Sequence, residues 1–201
     1  MMDVIHPNPL FFTGFFPFGL VAVLGRHAIL GALPLRKCVV PSKASPEQYL
    51  ISTQTAALLT GKSVRTLQRW AEEGNIRGVE KDGERRGAGG VKLLIELPSL
   101  IPHLSIALDA GRMATIVAAD GGAADALREV GLYFLAEDQA ATALLWLEAA
   151  AAKGDSDAMD WLSCCYFMGI GVSSNPALGL KWLGEAAARG HALALQKIAA
   201  L

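Results

Sequence analysis

The sequence predicts a mainly α-helical chain, with one small β-hairpin and a C-terminal run of αα-hairpin repeats. Three observations carry this reading. Hydrophobic residues make up 52% of the 201, yet aromatics only 7%. The apolar share therefore rests on Ala, Leu, Val and Gly, a balance that suits closely packed helices. An Asp-Gly pair and a Gly-rich stretch interrupt the helical pattern at 82–90, which signals a hairpin. In the C-terminal half, residue types recur at a spacing of 36, the mark of a repeat. Charge divides the chain as well. Residues 49–101 carry eight basic and six acidic groups, whereas 102–201 carry six and eleven. Such asymmetry points to different partners for the two parts. The three cysteines, Cys38, Cys164 and Cys165, are odd in number and lack metal-ligand spacing. They exclude a disulfide framework and point to a reducing compartment.

Residues 1–46 read as a hydrophobic head and linker. The run LFFTGFFPFGLVAVLG (10–25) carries no charge. Asp3 precedes it, and Arg26, Arg36, Lys37 and Lys43 follow, the reverse of a secretory signal. As an inner-membrane anchor through 10–33, it would keep its basic flank in the cytoplasm. Its 16 uncharged residues fall short of the roughly 20 that a span needs. Gly14, Pro17, Gly19 and Gly25 also weaken a helix. Three readings stay open: an anchor, a segment packed on the protein, or a translation start set too far upstream. Pro41, Ser42, Ser45 and Pro46 form the linker.

Residues 47–105 carry a second pattern. Ser52 is placed to cap a short helix over Thr55–Leu59. Thr60, Gly61 and Lys62 make a turn, and Ser63 caps a helix from Val64 to Glu73. Val64, Leu67 and Trp70 or Ala71 form its inward stripe. Lys62, Arg65, Gln68 and Arg69 fall on other faces, and Gly74 ends the helix. Arg pairs well with guanine and Gln with adenine, so the outward face suits a major groove. The bland alternative is an αα-hairpin whose polar face is merely wet. Ile76–Glu80 and Val91–Leu97 read as strands, joined through Lys81-Asp82-Gly83-Glu84. Arg85 and Arg86, with Gly87, Gly89 and Gly90, form a basic tip that can follow a phosphate backbone.

The run ISTQTAALLTGKSVRTLQRWAEEGNI (51–76) resembles the winged helix-turn-helix of excisionase and MerR-type proteins. RRGAGGVKLLIELPSL (85–100) is similar to the wing and exit of Mu-type phage DNA-binding domains. The resemblance implies binding to double-stranded DNA. It assigns Lys62, Ser63, Arg65, Thr66, Gln68 and Arg69 to the recognition helix and its turn, and Arg85 and Arg86 to the wing. Six acids among the eight bases imply weak affinity or dependence on dimerisation.

Residues 106–122 read as a connecting helix, and 123–201 as the repeat domain. Trp146 recurs as Trp182, Ala150-Ala151 as Ala186-Ala187, and Gly154 as Gly190. Ala158 recurs as Ala194. Phe134 matches Tyr166 at 32, so the first unit lacks four loop residues. The two tryptophans are expected in equivalent half-buried positions. Ala158, Leu162, Tyr166, Gly169, Gly171-Val172, Ala177, Trp182 and Gly190 resemble Sel-one-like repeats, relatives of the tetratricopeptide hairpin. The resemblance implies a scaffold that holds a protein or peptide. Two units are few for a solenoid, so packing on 99–119 or a second subunit is expected.

Catalytic signals are absent. His6, His27, His103 and His191 are scattered, and no phosphate loop or metal motif occurs. Asp155, Asp157 and Asp160 read as acids that favour a helix N-terminus. The expectation is a cytoplasmic DNA-binding adaptor, a transcriptional regulator without cofactor, metal or enzymatic activity. Its partners would be DNA, a protein on the repeats, and a second copy of itself. The alternatives are a scaffold without DNA binding and a membrane-anchored regulator.

Overall fold

The computed structural model describes residues 49–83 and 90–200. The head (1–46) and the Arg85–Arg86 tip lie outside these residues. The described residues fall within one compact unit. A single apolar cluster runs through them from Ile51 to Ala194.

Strand β1 (Leu50–Ser52) leads into helix α1 (Thr53–Thr60), capped by the Ser52 hydroxyl, which accepts from the Thr55 amide. The turn at Gly61 leads to α2 (Val64–Glu72), capped by Ser63. Leu67 is fully buried, while Val64, Trp70 and Ala71 are half-buried, as the inward stripe requires. Trp70 lies 4.5 Å from the His103 ring, between centroids.

Strands β2 (Gly78–Gly83) and β3 (Gly90–Glu96) form the hairpin, and β1 adds a third strand in the order β1-β3-β2. Two expectations need correction here. The first strand begins at Gly78 rather than Ile76, because buried Ile76 belongs to the bend after α2. A Cβ on Gly78 would stand 2.7 Å from Leu93 Cδ1, so a side chain there would require the end of Leu93 to shift. Asp82-Gly83 is not the turn. Both pair with β3, Asp82 with Val91 and Gly83 with Gly90. β1 was not foreseen, since three residues are too few to show alternation.

After β3 come the short α3 (Leu97–Leu100) and a 3₁₀ turn at Ile101–His103. Six helices follow: α4 (Ala110–Asp120), α5 (Ala124–Ala136), α6 (Ala140–Ala152), α7 (Ser156–Met168), α8 (Pro176–Ala188) and α9 (Ala192–Ala199). Each packs on the next in chain order. α5–α6 and α7–α8 are the two hairpins. Ala143, Ala150 and Ala186 are fully buried, so small side chains set the close helix spacing. The longer loop of the second hairpin returns onto α6. A Cβ on Gly171 would stand 2.5 Å from the Ala140 carbonyl carbon, so the loop admits no side chain there.

α4 ends as the hairpins do. It closes on Gly122, as α6 closes on Gly154 and α8 on Gly190, at φ +87°, +94° and +83°. The hydrogen bonds repeat too. The Gly122, Gly154 and Gly190 amides donate over 2.9 Å to Ala119, Ala151 and Ala187. The following amides of Ala123, Asp155 and His191 donate to Ala118, Ala150 and Ala186. The same turn also closes α2 at Gly74, so it is a local helix stop shared by α4 and the hairpins. Strand β1 packs against α4.

Candidate functional site

Two surfaces bear on function. The first is the outer face of α2. Lys62, Ser63, Arg65, Gln68 and Arg69 are exposed, and Thr66 is half-buried. The Ser63 hydroxyl is committed to capping: it accepts from the Thr66 amide at 3.1 Å and lies 2.9 Å from the Thr66 hydroxyl. Its backbone amide stays at the open end of the helix. Arg69 Nε sits 3.5 Å from Glu73, with both side chains well exposed (65% and 49%). Such a pair contributes about 0–1 kcal/mol, so the guanidinium is readily released. A depression of about 380 Å³ beside the helix is lined, among the described residues, by Ser63, Arg65, Thr66, Gln68, Arg69 and Glu72. The structure thus brings six of the eight expected residues onto one helix and its turn, while Arg85 and Arg86 lie outside the described residues.

The second surface is the repeat array. Trp146 is not half-buried but 1% exposed, stacked on Phe134 at 6.5 Å; Trp182 is half-buried. α6 lies between two helices of 13 residues, whereas α8 lies between one of 13 and one of 8. Both indole N–H groups are buried without an acceptor.

The aspartates do more than favour a helix end. Asp155 caps α7 through the Ala158 amide at 2.7 Å. Arg128 Nη1 also reaches Asp155 at 2.8 Å and Asp157 at 2.9 Å. His191 caps α9 through Nδ1, which accepts from the Ala194 amide, and its Nε2 lies 3.1 Å from Asp157. Lys197 holds Asp160 at 2.7 and 2.8 Å and comes within 3.7 Å of Cys164 Sγ. These pairs stitch successive units together across 27 to 37 residues. Sequence spacing missed them, because only the hairpin geometry makes such distant positions neighbours. Asp120, also missed, accepts from the Ser52 hydroxyl at 2.5 Å and the Ser52 amide at 3.1 Å, tying α4 to β1.

Burial disfavours the thiolate form of both Cys164 and Cys165. Burial pushes Cys165 up to about 11, with the neighbouring Cys164 adding to the shift. Burial also raises Cys164, against the opposing charge of Lys197. Among the described residues no group of His, Cys, Asp and Glu could hold a metal ion. No helix among them is long and apolar enough to cross a membrane.

Antiparallel helix pairs closed by identical glycine turns define an αα-hairpin repeat protein over the C-terminal half. Residues 124–155 and 156–191 match the Sel1 repeat, so this region holds two Sel1 repeats. Sel1 repeats imply a protein–protein interaction domain, a scaffold that is not typically enzymatic. No curated protein and no solved structure matches the chain.

Proposed function

We propose that the chain is a cytoplasmic DNA-binding adaptor, a transcriptional regulator that grips duplex DNA through α2 and holds a protein partner on its Sel1 repeats. The observation that carries this reading is the exposed row Lys62, Arg65, Gln68 and Arg69. It stands on a short helix and the turn before it, anchored by buried Leu67 and followed by an antiparallel hairpin. Arg and Gln at that spacing suit base edges, and the helix start offers amides to a phosphate. The hairpin would bring Arg85 and Arg86 to the backbone as a wing. The three-part division at 47–105, 106–122 and 123–201 is retained as a functional one, with α4 shared between the parts.

A second reading, a scaffold without DNA binding, is favoured by Glu72 and Glu73, which stand exposed on the same helix end and partly neutralise Arg69. Binding of the full chain to a random duplex library, followed by sequencing, decides between them. The expected outcome is salt-dependent retention. Arg69→Ala should cost about 1–3 kcal/mol if the side chain reaches a base edge. Equal retention of wild type and the Arg65→Ala/Arg69→Ala variant at low salt would establish the scaffold reading.

A further inference from the structure

Glu72 stands apart from the other polar residues of α2. Arg65, Gln68, Arg69 and Glu72 fall at i, i+3, i+4 and i+7, so they share one face of the helix. All four line the depression of about 380 Å³. Three of them bring donors, and Glu72 brings the one carboxylate. That carboxylate makes no hydrogen bond or ion pair with any described residue. Its neighbour Glu73 is engaged in the local structure: it accepts from Asn75 Nδ2 at 3.0 Å and lies 3.5 Å from Arg69 Nε. Glu72 gives the helix nothing of that kind. It is the last residue of α2, where an acid faces the negative end of the macrodipole. A phosphate backbone would repel it as well. On a face that binds DNA, this carboxylate is favourable only where it meets a donor.

We propose that Glu72 is a specificity-determining residue, which accepts from the exocyclic N4 amine of a cytosine in the major groove. This rests on the DNA-binding reading of α2 and adds the base that the C-terminal end of the helix selects. In the major groove cytosine presents a donor, whereas guanine presents the acceptors N7 and O6. Thymine presents an acceptor and a methyl group. Adenine sets its donor beside the acceptor N7, an edge that suits the amide of Gln68 and opposes a carboxylate. The carboxylate therefore favours cytosine, as the guanidinium groups favour guanine. From Arg65 to Glu72 the helix rises about 10 Å, the height of about three base-pair steps. The face thus reads a short site with guanine toward Arg65 and cytosine toward the end of α2. Phosphate repulsion by Glu72 acts on every sequence, and the base contact offsets it only at a matching one. Its effect is discrimination rather than affinity.

Selection of the full chain and of Glu72→Gln on a random duplex library at matched salt, followed by sequencing, tests this. The wild type is expected to retain duplexes with one fixed cytosine, favoured about fivefold or more over any other base there. Glu72→Gln should shift that position to adenine or flatten it, keep the guanine positions, and raise retention of duplex at large. Glu73→Gln removes the same charge one residue away and should keep the cytosine. Far-UV circular dichroism establishes that the variants keep their helices. If Glu72→Gln loses helix, Glu72→Ala takes its place, with loss of the cytosine preference expected. A wild type that retains no duplex overturns the DNA-binding reading and this proposal together. Retention without a cytosine preference overturns this proposal alone. So does a Glu72→Gln variant that binds more duplex with the base preference unchanged, since the carboxylate is then a repulsive charge and no more.

Discussion

The helical array has a helix at each end, yet the two ends finish differently. At the N-terminal end, α4 lies against β1, and its apolar residues Met113, Ile116 and Ala119 are buried. Its last residue, Asp120, accepts two hydrogen bonds from Ser52. At the C-terminal end, α9 is held on one side by α8, by the Lys197–Asp160 pair and by the His191 cap, and leaves Leu195 and Ile198 in solvent. Burial of a repeat position is thus decided by the neighbour that stands there, not by the repeat's own sequence. Apolar area removed from water stabilises by roughly 25 cal/mol per Å², so equivalent residues contribute unequally along the array.

The largest expected effect follows from the two tryptophans. Trp146→Ala empties a fully enclosed site and should destabilise by about 3–5 kcal/mol. Trp182→Ala, half-buried near the open end, should cost clearly less. Urea unfolding of both variants checks the order, and equal losses would break the comparison. Trp146→Phe sharpens it. The indole N–H bonds nothing, so its removal gives up no hydrogen bond, and Phe should retain most of the stability that Ala loses.

The next effect concerns the covered end. Asp120→Ala leaves the Ser52 amide without its acceptor and the hydroxyl with only Thr55 Oγ1 at 3.3 Å, and should cost about 1–3 kcal/mol. Because the same bonds tie β1 to α4, hydrogen exchange at the amides of 50–52 should accelerate along with that loss. Unchanged exchange there would show that apolar packing alone seats the strand on the array.

Much of this architecture was legible. Ser63, Gly61 and Gly74 delimited α2 through capping chemistry, and the 36-residue recurrence of Trp, Ala-Ala and Gly marked the hairpins, because each unit closes by the same local turn. What stayed hidden depends on tertiary neighbours. Asp82-Gly83 has the composition of a turn, but β3 holds both residues in the ladder. α4 shares the turn of the hairpins but carries Ala114 where the matched units carry Trp146 and Trp182. The turn alone does not mark a repeat helix. The Ser52–Asp120 tie spans 68 residues, and no local pattern reports it. For the candidate site, helix periodicity placed Arg65, Gln68 and Arg69 outward, but it did not foresee that Glu73 would hold Arg69.

The smallest effect is read from the two adjacent thiols, which report on the open end separately. Cys164 lies beside Lys197 of α9, 3.7 Å from its ammonium, whereas Cys165 is enclosed in the core. Burial raises the Cys165 thiol from its ordinary 9.0 to about 11. A raised value in the fold means that the neutral thiol is favoured there. Its contribution to stability is complete below about pH 9 and declines between pH 9 and about 11. Cys165→Ala should flatten that alkaline decline in the unfolding midpoint, whatever it does to stability at pH 8. At pH 8 a thiol reagent meets Cys164 already partly exposed, whereas buried Cys165 needs an opening event. Release of α9 frees Cys164 further, while Cys165 requires wider unfolding. Mass spectrometry of the modified peptide should find Cys164 labelled at least tenfold faster. Equal rates would mean that α9 opens only with the whole array, and the contrast between a covered and an open end would then be one of surface rather than of stability.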